Sequence, residues 1–187
     1  MMRSSTEGSG DAEPISAAAI MASMAPGFAK TDEYCSMKKR PERPATWLAG
    51  KKTRLRPLEA QDVPQFRRYK LAVDPKAIGF IVQTHAGRDI GALALSIEGP
   101  QAAIAISVAN RRHLSDGLAS DALRVMWSGA FRSLPLARIE ALVLADDLAL
   151  LKAYRRAGFK REGVLRSVAR ARGAYRDAAV LSVVRDV

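Results

Sequence analysis

Residues 102–131 read AAIAISVANRRHLSDGLASDALRVMWSGAF, and their pattern changes twice. Residues 102–109 are apolar except for Ser107 and predict a short strand. Residues 110–116 are polar and predict a loop. A helix then opens at Gly117, with Ala119, Ala122, Leu123, Met126, Trp127, Ala130 and Phe131 recurring at a period of about 3.6. Ser120, Asp121, Arg124 and Ser128 fall on the other side. A strand feeding a loop feeding a helix leaves first-turn N–H groups without intrahelical partners. With the positive end of the helix dipole, they make an anion site suited to an acidic cofactor.

Upstream, TRLRPL at 53–58 alternates and predicts a first strand. Residues 59–70 predict a helix, with Asp62 as a cap and Pro64 in its first turn. Residues 78–84 and 90–97 predict two strands joined by a Gly-containing turn at 86–89, and Glu98-Gly99-Pro100 turns into the strand at 102. Downstream, Leu134-Pro135 stops the long helix, and RIEALVLA at 138–145 predicts a buried strand. Residues 147–157 predict a helix with Leu150, Leu151 and Tyr154 on one face, ended by Gly158 in a left-handed conformation. Residues 164–170 and 175–184 predict a closing hairpin across 171–174. The order β-α-β-β-β-α-β-α-β-β predicts an α/β domain with a mixed sheet of about seven strands and flanking helices.

Residues 1–52 differ from the rest. They begin Ser/Gly/acid-rich, pass through an Ala/Met-rich stretch at 15–29, and end in a basic run with Lys38, Lys39, Arg40, Arg43, Lys51 and Lys52. This composition predicts a disordered tail before a domain at 53–187. Glu7, Asp11 and Glu13 precede the apolar part, the reverse of a secretory signal. Met21, Met24 and Met37 are alternative starts. The formal charge of +11 favours anionic partners: nucleic acid, the ribosome surface or an acidic cofactor. A basic run without interleaved aromatics reads as a solvated linker before it reads as a base-stacking surface. One cysteine, Cys35, permits neither an internal disulfide nor a zinc cluster and suits a reducing, cytoplasmic setting. No apolar run reaches the roughly 20 residues of a membrane span.

Five segments in order, RLRPLEAQD (54–62), DIGALAL (89–95), GLASDALRVM (117–126), AYRRAGFKREGVLR (153–166) and GAYRD (173–177), resemble the GNAT superfamily of acyl-CoA-dependent N-acetyltransferases. The similarity is to its ribosomal-protein-alanine N-acetyltransferase branch. The resemblance implies a GNAT fold over residues 53–187, acetyl-CoA as co-substrate, no metal, and a primary-amine acceptor on a protein N-terminus or a small molecule. It places the diphosphate on a loop of form Arg/Gln-x-x-Gly-x-Gly/Ala, here Leu114, Ser115, Asp116, Gly117, Leu118 and Ala119. The pantetheine arm would pair with the backbone of Ser107, Val108 and Ala109, where this strand splays from 138–145. Asp147 stands at a cofactor-contacting position, and Tyr154 matches the tyrosine that protonates the departing thiolate. Tyr154 also has a plain alternative as an amphipathic core residue beside Leu150 and Leu151. A monomer or homodimer is expected.

Departures from the family pattern bear on the site rather than the fold. Leu114 replaces the first Arg or Gln of the loop, and Asp116 adds negative charge beside a phosphate site, with Arg111 and Arg112 close by to offset it. Asp147 replaces an Asn and Leu150 a Ser. The span between Lys70 and Ile78 is short for the usual second helix. Glu140, Glu98, His113 and His85 are the candidate general bases. Two functions therefore stand: an N-acetyltransferase using direct attack by the amine, or a GNAT-fold module that binds or regulates, reaching nucleic acid or the ribosome through its basic tail. A dinucleotide-binding domain is disfavoured, because the loop after the strand lacks G-x-G-x-x-G.

Overall fold

The computed structural model describes residues 49–62, 69, 71, 77–171 and 174–185. The tail at 1–48, the predicted helix beyond residue 62, the short connection at 72–76 and the centre of the 171–174 turn lie outside the described residues. Seven strands form one sheet: β1 (Thr53–Pro57), β2 (Ile78–Thr84), β3 (Asp89–Glu98), β4 (Gln101–Val108), β5 (Arg138–Leu144), β6 (Lys160–Ala171) and β7 (Ala174–Val184). Their order is β1-β2-β3-β4-β5-β7-β6, with β4 and β5 parallel and every other pair antiparallel. Among the described residues the helices are α1 (Arg112–Ser115), α2 (Leu118–Ser133) and α3 (Leu148–Arg156). The mixed sheet follows from the chain. Short turns at 85–88 and 99–100 force antiparallel neighbours, while the 16-residue α2 is the crossover that a parallel pair requires.

The principal core lies between one sheet face and helices α2 and α3. Leu55, Phe80, Leu93, Ile104 and Ile106 come from the sheet, and Leu123, Met126, Leu151 and Tyr154 from the helices. The α2 stripe reads as predicted at Ala119, Ala122, Leu123, Met126 and Ala130, which are buried, with Trp127 and Phe131 half-buried at its edge. Ser120, predicted to lie on the polar side, is buried instead. Its hydroxyl donates to Gly117 O at 3.0 Å, which satisfies it without solvent. On the opposite sheet face, Ile81, Ala92, Ala94 and Ala105 pack with Leu58, Leu71 and Ala77.

Three further differences from the sequence reading have local causes. The predicted loop at 110–116 contains the single helical turn α1, nucleated by Asn110, whose side chain accepts from Arg112 N at 2.9 Å. Strand β6 begins at Lys160 rather than Val164, because bulges at Arg161/Gly163 and Leu165/Ala169 let it stay paired with β7 through polar sequence. Asp62 accepts from Glu59 N at 2.8 Å and closes a 3₁₀ turn (Ala60–Asp62). The Arg56 guanidinium clasps the same carboxylate at 2.6 and 2.9 Å and holds its pKa below the usual value.

Residues just before β1 are part of the folded unit. Asp121 in the first turn of α2 accepts from the backbone N–H groups of Lys51, Lys52 and Thr53 and from the Thr53 hydroxyl, at 2.8 to 3.2 Å. Gly50 lies so close to α2 that an added Cβ would stand 2.4 Å from the Asp121 carboxylate. Lys51 and Lys52 are thus anchored at the helix start rather than carried in a linker.

Gly91 sets the approach of β3 to β4. A Cβ there would meet Ser107 O at 2.4 Å and Val108 Cα at 3.1 Å, both backbone atoms that cannot swing aside. Gly91→Ala is expected to destabilise the fold by roughly 2 kcal/mol, as overpacking does. Urea unfolding monitored by tryptophan fluorescence checks this; a midpoint equal to wild type would show that β4 yields freely.

Candidate active site

The register of β4 decides which of its backbone groups are free. Ala109 N donates to Ile90 O at 2.9 Å. In an antiparallel ladder alternate residues point to the same neighbour, so Ala109, Ser107, Ala105 and Ala103 bond toward β3. Val108, Ile106, Ile104 and Ala102 point toward β5. The β4–β5 ladder runs only from Gln101↔Arg138 to Ala103↔Glu140, although β4 continues to Val108 and β5 to Leu144. Past that point the strands separate and leave a wedge-shaped gap. Of the three strand residues predicted to meet a pantetheine arm, Val108 presents its main chain to this gap, while Ser107 and Ala109 spend theirs on β3.

Tyr154 enters the gap from α3. Its hydroxyl donates to Ile104 O at 3.3 Å, a β4 carbonyl just past the point where the ladder with β5 ends. The side chain is fully buried, and its ring packs edge-on against Phe159 with centroids 5.1 Å apart. Burial raises the phenol pKa above its ordinary value, partly opposed by a hydrogen bond with the Ile106 backbone. The group is therefore protonated throughout the neutral range. The helix that carries it is fixed by Asp147, whose side chain accepts from Leu150 N at 3.1 Å as an N-cap, and by Gly158 at φ +103° past its C-terminus.

The anion loop lies beyond the C-terminal end of β4. Gly117 takes φ +79° and turns the chain from α1 into α2. Inside α1, Leu114 N donates to Arg111 O and Asp116 N to Arg112 O, so those two residues have no spare amide. Leu114 itself is core. Leu118, Ala119 and Ser120 have no acceptor within their own helix; the first amide used is that of Asp121, on Gly117 O at 3.0 Å. The donor set thus centres on Gly117 to Ser120, shifted toward the helix from the predicted 114–119. Asp116 turns its carboxylate to solvent, and its carbonyl accepts from Lys52 Nζ at 3.0 Å. The Ser115 carbonyl accepts from Arg156 at 3.0 Å, and the Ser115 hydroxyl donates to Arg112 O. Sequence reasoning missed Lys52 and Arg156. Lys52 precedes the first strand, and only the Asp121 contact brings it to this loop.

At the open end of the gap, Arg111 reaches across from the loop after β4 to Asp147, with contacts of 2.7 and 3.3 Å. The Asp147 carboxylate holds the Arg111 pKa above its usual value. The candidate bases are scattered. Glu98 pairs with Gln101 at the far end of β4, and His85 contacts Gly50 O at 3.1 Å from the exposed β2–β3 turn. Glu140 is held by Arg138 at 3.1 Å, and His113 sits half-buried in α1 with Nδ1 unpartnered. None of them shares a contact with Tyr154. Among the described residues no group of three or more His, Cys, Asp or Glu side chains could hold a metal ion.

The sheet is mixed, its parallel pair β4–β5 parts after three residue pairs, and the Tyr154 phenol sits on β4 just past that point. Residues 26–160 match the family model described as "Acetyltransferase (GNAT) domain", and the chain belongs to that family of acetyltransferases. A relative, the probable N-acetyltransferase YjcK of Bacillus subtilis (strain 168), is 32% identical over 75 residues. That alignment covers 40% of this chain and 41% of the relative, so the match spans about two fifths of its length. The fold is similar to Mycobacterium smegmatis RimJ in complex with CoA-disulfide, at a TM-score of 0.61 and 22% identity over 71% of this chain and 81% of that one. It is also similar to RimL, a ribosomal L7/L12 alpha-N-protein acetyltransferase in complex with coenzyme A (TM-score 0.62, 15% identity, 73% and 96% covered). A spermidine N-acetyltransferase SpeG chimera from Vibrio cholerae and hSSAT gives 0.63 at 20% identity, with 71% and 95% covered.

The raised phenol fixes the sign of one pH effect. A group whose folded pKa lies above its unfolded value adds stability that is complete below the unfolded pKa, about 10 for tyrosine. That stability is lost as pH climbs from there toward the folded value. Wild-type protein is expected to lose stability more steeply above pH 10 than Tyr154→Phe does. Chemical denaturation between pH 8 and 11 checks this, and parallel curves would mean that the phenol is not protected.

Proposed function

We propose that the chain is an N-acetyltransferase that moves an acetyl group from acetyl-CoA to a primary amine on a protein N-terminus or a small molecule. The observation that carries this reading is the Tyr154 hydroxyl on Ile104 O, at the apex of a gap whose other end opens toward the Gly117 loop. The residues fit such a substrate in three places. The amides from Gly117 to Ser120 suit a diphosphate. The outward main chain of Val108 suits the amides of a pantetheine arm, and its N–H would polarise the thioester carbonyl. Tyr154 suits the sulfur.

In this reading the amine lone pair attacks the thioester carbonyl carbon directly. A C–N bond forms and the C–S bond breaks. Tyr154 delivers its proton to the leaving sulfur, and the nitrogen gives up a proton to water, which returns one to the phenol. Burial keeps the Tyr154 proton in place at neutral pH, so the acid is loaded before the amine arrives. Among the described residues no carboxylate or imidazole bonds Tyr154, and in this reading the amine enters unprotonated or loses its proton through water. The names of RimL and SpeG are compatible with either acceptor class.

A second reading, a module that binds without transferring, draws on the Arg111–Asp147 pair at the mouth of the gap. Both readings meet one experiment. Acetyl-CoA at 100 times its dissociation constant is expected to stabilise the native state by about 2.7 kcal/mol, read as a rise in melting temperature. Thiol release with a panel of primary amines should fall by roughly 100-fold or more in Tyr154→Phe while acetyl-CoA binding persists. Binding without thiol release would count against transfer, no thermal shift with any acyl-CoA would overturn the first reading, and salt-dependent binding of RNA or DNA without acyl-CoA binding would select the second.

A further inference from the structure

The anion loop lacks a side-chain cation of its own, since Leu114 is 3% exposed and packed in the core. Three cations from elsewhere in the chain gather around it. Lys52 Nζ donates to Asp116 O at 3.0 Å and lies 3.5 Å from where a Gly117 Cβ would stand, on the bare side of that residue. Arg156 donates to Ser115 O, and Arg124 in turn donates to Arg156 O at 2.5 Å. Among the described residues none of the three belongs to an ion pair. Each rests on a carbonyl oxygen rather than on a carboxylate. Two carboxylates are near. That of Asp116 is exposed, and that of Asp121 is occupied by three backbone N–H groups and a hydroxyl.

The Lys52 backbone is fixed by its own N–H on Asp121, so the ammonium is presented from an anchored stem. It uses one of three N–H donors on Asp116, and the others remain for an anion on the Gly117–Ser120 amides. We propose that Lys52 is the side-chain cation of the diphosphate site, taking over from outside the loop the contact that Leu114 cannot make, with Arg156 behind it. This inference rests on the acetyl-CoA reading above. It assigns to the residue before β1 a binding role that the loop motif does not contain.

The test is calorimetric titration of the full chain with coenzyme A and with its dephosphorylated form lacking the 3′-phosphate. The proteins are wild type, Lys52→Gln and Lys52→Arg. Lys52→Gln removes the charge and leaves a shorter neutral N–H donor, and the ligand-free melting temperature reports whether the Asp116 contact mattered to the fold. Binding of both ligands is expected to weaken about tenfold in Lys52→Gln and to be largely retained in Lys52→Arg. The salt dependence should be shallower in Lys52→Gln, and the ligand-free melting temperatures should agree within a few degrees. Equal binding by wild type and Lys52→Gln overturns the Lys52 assignment and leaves the acetyltransferase reading standing. A loss confined to the 3′-phosphorylated ligand overturns the diphosphate assignment. Absence of binding to wild type overturns the Lys52 assignment together with the acetyl-CoA reading.

Discussion

Strands β4 and β5 bond each other for three residue pairs and then part. Everything distinctive about the molecule depends on that separation. A sheet interior does not tolerate unpaired carbonyls, so the gap must be filled by a donor or left to a ligand. Tyr154 fills it at the apex. Farther along, the outward groups of Val108 keep the strand-edge chemistry of an unpaired sheet within the body of the domain. The large core side chains on the helix-facing side make this tenable, because they hold the two strands rigid while their edges stay apart.

The charge distribution around the gap is uneven in a way that composition hides. At the loop end, cations lean on carbonyl oxygens rather than on carboxylates. At the mouth, Arg111 is neutralised by Asp147, which also caps α3. One carboxylate therefore couples the helix carrying Tyr154 to the loop following β4. An Asn in that position would cap the helix equally well but would leave Arg111 free. Asp147 thus joins a helix cap and an ionic contact across the entrance in one side chain.

Much of the fold was legible because its signals are local. The α2 stripe, the Gly117 and Gly158 turns and the short turns that join β2, β3 and β4 each follow from residues within one or two helical turns, and each stands where the sequence puts it. The site was legible only in part. Gly117 and Tyr154 announce themselves by motif; Gly117 takes its left-handed turn at the start of α2, and the Tyr154 hydroxyl meets Ile104 O where the β4–β5 ladder has ended. The α1 turn does not announce itself. It consumes the Leu114 and Asp116 amides, and its one local cue is the Asn110 side chain. Lys52 was out of reach for a different reason. Its place depends on Asp121, 69 positions away, and charge composition alone assigns a basic run before a domain to solvent.

Among the described residues the sheet ends at β6, which is twelve residues long. Long exposed edges invite other chains to extend the sheet, the first step toward aggregates. Here the two bulges break the regular spacing of outward amides, and Ser167 turns away at φ +53° with its N–H tied to Asp177. Arg161 and Arg166 add like charge along the same strand. An edge with two bulges and like charges is a poorer template for a further strand than a regular one.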